Sequence, residues 1–67
     1  MELFKIQCKD SFCYLKNKNG NNLAFRQLKT AKRYVKLQRE LDEIINEPRS
    51  LVIHYFVNDL FVEALNY

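Results

Sequence analysis

Along the first third of the chain apolar and polar positions alternate: Phe4, Ile6 and Cys8 against Lys5, Gln7 and Lys9, then Cys13 and Leu15 against Phe12, Tyr14 and Lys16. A period of two is that of a strand with one buried face, so two strands are predicted, joined by a hairpin over Lys9 to Phe12 around Asp10-Ser11. A second turn, Asn17-Lys18-Asn19-Gly20, carries Asn first and Gly fourth, as a type I turn followed by a left-handed glycine prefers. With Lys18, Asn19 and Gly20 as its loop, Leu15 falls opposite Leu23 and Cys13 opposite Phe25, and three strands place apolar side chains on one side. A two-residue Asn19-Gly20 turn instead puts Ala24 opposite Leu15 and turns Leu23 and Phe25 outward, because a slip of one residue reverses every side chain. The register with the consistent core is preferred.

From Gln27 to Asn46 the period becomes helical. Leu28, Ala31, Tyr34, Val35, Leu37, Leu41, Ile44 and Ile45 fill one arc, and Lys29, Lys32, Arg33, Lys36, Arg39, Glu40, Glu43 and Glu47 the other. An amphipathic helix laid on the sheet is predicted, poorly capped at Gln27 and ended by Pro48, which moves Glu47 out of the helical region. Beyond it, eleven of the fifteen residues from Leu51 to Leu65 are apolar. Leu51, Ile53, Tyr55 and Val57 occupy one side of a strand, Val52 and Phe56 the other, so this strand is interior to the sheet or covered. Asn58-Asp59 either caps a short helix whose Leu60, Phe61, Ala64 and Leu65 share a face, the preferred reading, or turns a hairpin into a last strand. The expected fold is therefore α+β, one small domain over residues 1–67: a three-stranded antiparallel sheet packed by one long amphipathic helix, then a fourth strand and a short terminal helix or strand (βββαβα). The apolar surplus of residues 51–65 exceeds what one face of a small sheet can bury, which points to self-association or a partner's groove.

Composition narrows the functional classes. Sixty-seven residues suit a single domain with little material for a deep cleft, and one Gly, one Pro and 48% apolar residues rule out disorder. No apolar run approaches the ~18 residues of a membrane span, and residues 1–5 lack the pattern of a secretion signal, so a cytoplasmic protein without membrane contact is expected. Cys8 and Cys13 fall opposite each other in the predicted hairpin, in the closely spaced, non-hydrogen-bonded kind of pair. A disulfide there is conceivable, but a reducing cytosol and a four-residue loop favour buried free thiols. Two cysteines and one distant His54 do not make a metal-ligand set. His54, among Ile53, Tyr55 and Phe56, reads as structural, and Glu40, Asp42, Glu43 and Glu47 lie on an exposed helix end where nothing would raise a carboxyl pKa. Gly20 is alone, so there is no phosphate-binding loop. No catalytic residue, metal or cofactor is expected, and the protein reads as non-enzymatic.

Charge is the informative feature. Residues 1–39 carry ten Lys or Arg against Glu2 and Asp10, a balance of +8, whereas residues 40–67 carry six acids against Arg49, a balance of −5. On the helix the two halves meet within one turn, at Arg39 and Glu40. Cations at the start and acids at the end oppose the helix dipole, and Lys29/Arg33 and Lys32/Lys36 are like-charge pairs four apart. Each misplacement costs roughly a few tenths of a kcal/mol at an exposed site. A rule broken without local compensation points to function, so Lys29, Lys32, Arg33, Lys36, Arg39, Glu40 and Glu43 form the candidate partner-binding set. Three strands followed by a packed helix is similar, in topology alone, to small sheet-type DNA readers and to many short proteins of phages and mobile elements. With a chain that reads as complete from its own Met1, the expected function is a stoichiometric modulator or inhibitor, of phage or mobile-element type, that masks a host protein surface. Two alternatives stand beside it. Lys5, Lys9, Phe12, Tyr14, Lys16 and Arg26 would form an outer sheet face of rings and cations suited to nucleic acid. A homodimer would set the basic half of one helix against the acidic half of another, antiparallel about a two-fold axis.

Overall fold

A computed structural model of the chain describes residues 1–66, with Tyr67 outside the described residues. The elements are β1 (Glu2–Cys8), β2 (Cys13–Tyr14), α1 (Leu28–Ile44), β3 (Leu51–Val57) and β4 (Leu60–Leu65). The strands form one antiparallel sheet in the order β2-β1-β3-β4. β1 and β3 pair along their whole length, from Glu2↔Val57 to Cys8↔Leu51, and form its centre. That is why β3 is apolar on both sides. Ile6 and Ile53, opposite each other in this pair, are 0% and 1% exposed, and with Phe4, Cys8 and Leu51 they meet Ala31 and Val35 of α1. The expectation of an α+β fold with an antiparallel sheet and one long helix is met, with a four-stranded sheet and a different strand arrangement.

The predicted third strand does not form. After β2 the chain makes the expected turn: Gly20 has φ +85°, its N–H donates to Asn17 O at 3.0 Å, and the Asn17 side chain accepts from the N–H groups of Asn19 and Asn21. The preferred register holds at its base, where Lys16 bridges Asn22 and Leu23 N–H donates to Leu15 O at 2.9 Å. Beyond Leu23 it breaks: Phe25 lies opposite Phe4, not Cys13, exchanging both backbone hydrogen bonds with it at 2.8 Å. Phe25 takes up the β1 edge that short β2 leaves open, and its ring packs against Tyr34 of α1 with centroids 5.4 Å apart. Pairing with β1 brings that ring against the helix and leaves it half-buried.

The cysteines do lie opposite each other, and both are free. Cys8 is buried, but Cys13 is exposed because nothing covers the core side of two-residue β2. Leu15 N–H donates to Ile6 O at 2.8 Å. Ladder positions repeat every two residues, so Cys8 and Cys13 occupy the wider, hydrogen-bonded kind of site, not the narrow kind expected. The terminal element is a strand. Asn58 and Asp59 both adopt left-handed backbone, φ 50° and 66°, between paired Val57 and Leu60. Two successive positive φ values make the type I′ turn whose twist matches a hairpin, whereas a helix cap needs an extended residue. The register of β4 then shifts between Tyr55 and Phe56.

α1 begins after Gln27, extended at φ −127°, ψ 136°, with no side-chain capping bond. Its end is more specific than a proline stop. Asn46 takes φ 57°, Asn46 N–H donates to Glu43 O and Glu47 N–H to Asp42 O, at 3.2 and 2.9 Å. This is a Schellman cap with Asn at the left-handed position, and Pro48 follows a helix already closed.

Candidate functional site

The line of α1 that faces the sheet runs through Ala31, Val35 and Asp42, which are buried, with Gln38 half-buried among them. Asp42 is 3% exposed, against the expectation of a solvated acid. Arg49, in the loop before β3, holds its carboxylate with Nε at 3.2 and 3.0 Å from the two oxygens and a terminal nitrogen at 2.9 Å, and also donates to Gln38 Oε1 at 2.9 Å. The hydrogen bond to Asp42 raises the Arg49 pKa above its ordinary value. Spacing alone could not show this, because Asp42 sits seven residues from a cation across a cap and a proline.

The consequence is rotational. A helix whose sheet-facing line passes through Asp42 cannot also centre its apolar arc on the sheet. Leu37, Leu41, Ile44 and Ile45 are therefore left 45–79% exposed. Leu37, Leu41 and Ile44, spaced four and three, form a stripe along one side of the helix. Beside it run the charged candidates, and Lys29, Lys32, Arg33, Lys36, Arg39, Glu40 and Glu43 are all exposed. Arg33, Lys36, Leu37 and Glu40 line one shallow groove there, so cation, apolar side chain and acid share a single surface. The first turn holds no acid and the last no base.

A second surface lies on the side of the sheet that α1 leaves bare. Tyr14 of β2, Lys5 of β1, His54 and Phe56 of β3 and Phe61 of β4 meet there. Tyr14 and His54 centroids are 5.5 Å apart, His54 and Phe61 4.9 Å, and Phe56 and Phe61 5.8 Å. Lys5 Nζ lies 4.9 Å from the Phe56 centroid and 5.8 Å from that of Tyr14. Tyr14 Oη and His54 Nδ1 share a hydrogen bond of 2.9 Å, and burial lowers the His54 pKa. Of the sequence candidates for this face, Lys5 and Tyr14 are brought together. Lys9, Lys16 and Arg26 are exposed, while Phe12 stands 79% exposed at the hairpin tip with φ 59°. His54, Phe56 and Phe61 were not among the candidates. Alternation within β3 places His54 with Phe56, but only the β1-β3 pairing, which no local pattern announces, puts them on the side of Lys5.

A recess of about 170 Å³ between Arg39, Asp42, Glu43, Pro48 and Arg49 falls below the roughly 300 Å³ at which small-molecule pockets begin, while the groove of about 370 Å³ at Arg33, Lys36, Leu37 and Glu40 is an open surface depression and not an enclosing cavity. Among the described residues no group of three His, Cys, Asp or Glu is placed to hold a metal, and no helix is long and apolar enough to cross a membrane. No family model, curated protein or solved structure matches the chain.

Proposed function

We propose that this protein is a non-enzymatic binding protein that acts stoichiometrically, docking α1 onto the surface of a partner protein and masking it. The observation that carries the reading is the stripe of Leu37, Leu41 and Ile44 left uncovered beside Arg33, Lys36 and Glu40. Apolar side chains bordered by charge are the composition of a protein interface: the first supply affinity when desolvated, the second set register and exclude wrong partners. An ordinary solvated helix face needs no such stripe.

The charge order adds direction. A partner surface with an acidic patch facing Arg33 and Lys36 and a basic one facing Glu40 and Glu43 is complementary in one orientation only. Masking a host protein in this way is the action of a modulator or inhibitor.

The reading is tested by isothermal titration of a captured partner with Leu41→Ser and with Arg33→Glu/Lys36→Glu. Each is expected to weaken binding at least tenfold, about 1.4 kcal/mol or more, with an unchanged circular dichroism spectrum. Wild-type affinity in both variants would remove α1 from the interface. Light scattering at two salt concentrations separates a foreign partner from a second copy of the chain, and a salt-sensitive dimer would replace this reading with self-association.

A further inference from the structure

We infer that the bare face of the sheet is a second binding surface, independent of α1, that takes a single-stranded oligonucleotide by stacking bases on Tyr14, His54, Phe56 and Phe61. These rings form one connected cluster that reaches from β2 to β4, across Lys5 of β1. Adjacent strands lie about 4.8 Å apart, so four strands span roughly 15 Å, room for two or three unpaired bases. Phe61 is 55% exposed and is the most open ring of the group.

Charge separates this face from its opposite. On the side of the sheet that faces α1, Tyr55 stacks on Phe4 at 5.1 Å and donates to Glu2 Oε1 at 2.9 Å, and Glu63 pairs across from Tyr55. The strand carboxylates Glu2 and Glu63 thus lie on that side. Alternation puts Lys5, Gln7, His54, Phe56 and the buried Val52 on the side away from α1, with Lys9 and Lys16 continuing the same parity beyond β1 and β2. Rings bordered by cations, without an acid between them, suit bases and phosphates together and a neutral apolar partner poorly. A duplex fits less well, since its bases are already stacked and present no free ring faces.

The test is fluorescence anisotropy with labelled oligothymidylate and oligouridylate of about a dozen nucleotides and a duplex of equal length, between roughly 50 and 200 mM salt. Both or either single strand is expected to bind more tightly than the duplex, with affinity falling as salt rises. Phe61→Ala and Phe61→Leu should each weaken binding about tenfold, and Phe61→Tyr, which keeps a ring, should retain it. Lys5→Gln should lower the logarithmic salt slope by about 0.7. Absence of binding at the lowest salt, duplex binding as tight as single-strand binding, or wild-type affinity in Phe61→Leu would each overturn the inference.

Discussion

Phe12 holds left-handed backbone at φ 59° while its side chain is 79% exposed, a conformation that costs a bulky residue ~1 kcal/mol and that Asn adopts more readily. Phe12→Asn is therefore expected to raise the melting temperature by a few degrees, about 0.5–1 kcal/mol, and a lower melting temperature would mean the ring packs in a way its exposure does not suggest. Asp42 and Arg49 predict an asymmetry. Removing Arg49 leaves a carboxylate buried without its partner, whereas removing Asp42 leaves a guanidinium that water still reaches, its side chain being 36% exposed. Arg49→Ala should cost about 3 kcal/mol in urea unfolding and Asp42→Ala less, and the reverse order would contradict the account. His54 links the bare sheet face to pH. Its pKa is lowered in the fold, so the unfolded chain binds the proton more tightly, and stability that is complete above about 6.5 declines as pH falls through the folded value. In His54→Gln the decline that sets in below about pH 6.5 should flatten. A slope identical to wild type would assign it elsewhere.

Among the elements, β1 and α1 were legible because each buries one face, and burial imposes its period on the sequence. The Asn17–Gly20 turn was legible for the same local reason: a left-handed position needs Gly, and Asn17 supplies the side chain that ties its neighbours. What local pattern could not carry was the order of the strands. Phe25 chose between two edges on the strength of a ring contact with Tyr34, and β3 joined β1 across the whole helix, so both were settled by packing. Asn58-Asp59 serves equally as a helix start and as a hairpin turn, and only the backbone angles distinguish them. The site followed suit: the charged stripe of α1 was readable, whereas the exposure of Leu37, Leu41 and Ile44 depends on Asp42 turning inward. α1 also yields a prediction that separates function from accident. Lys29 stands in the first turn, where an acid would favour the dipole and pair with Arg33. Lys29→Glu should stabilise the protein by about 0.3–1 kcal/mol in thermal or denaturant unfolding while weakening partner binding. Stabilisation with binding intact would show that the inverted charge order serves no partner through this residue.

For the whole molecule, +8 in residues 1–39 and −5 in residues 40–67 resolve into surfaces rather than ends. The fold places cations and acids in sequence along one exposed side of α1, sets the strand acids Glu2 and Glu63 on the helix side of the sheet, and leaves the other side to rings and Lys5. A chain this size gains little from the nine large apolar side chains exposed among the described residues, and α1, its C-cap Ile45 and β4 account for seven of them. Their exposure is a cost to solubility that binding would offset. The central role falls to α1 as a protein-docking surface. Its most direct test is affinity capture from the native host with quantitative mass spectrometry, using wild-type protein and Arg33→Glu/Lys36→Glu/Leu41→Ser as baits, each with and without nuclease. One protein is expected to be retained by wild type in near-equimolar amount after nuclease treatment and lost from the variant. The same protein recovered equally by both baits would contradict that role.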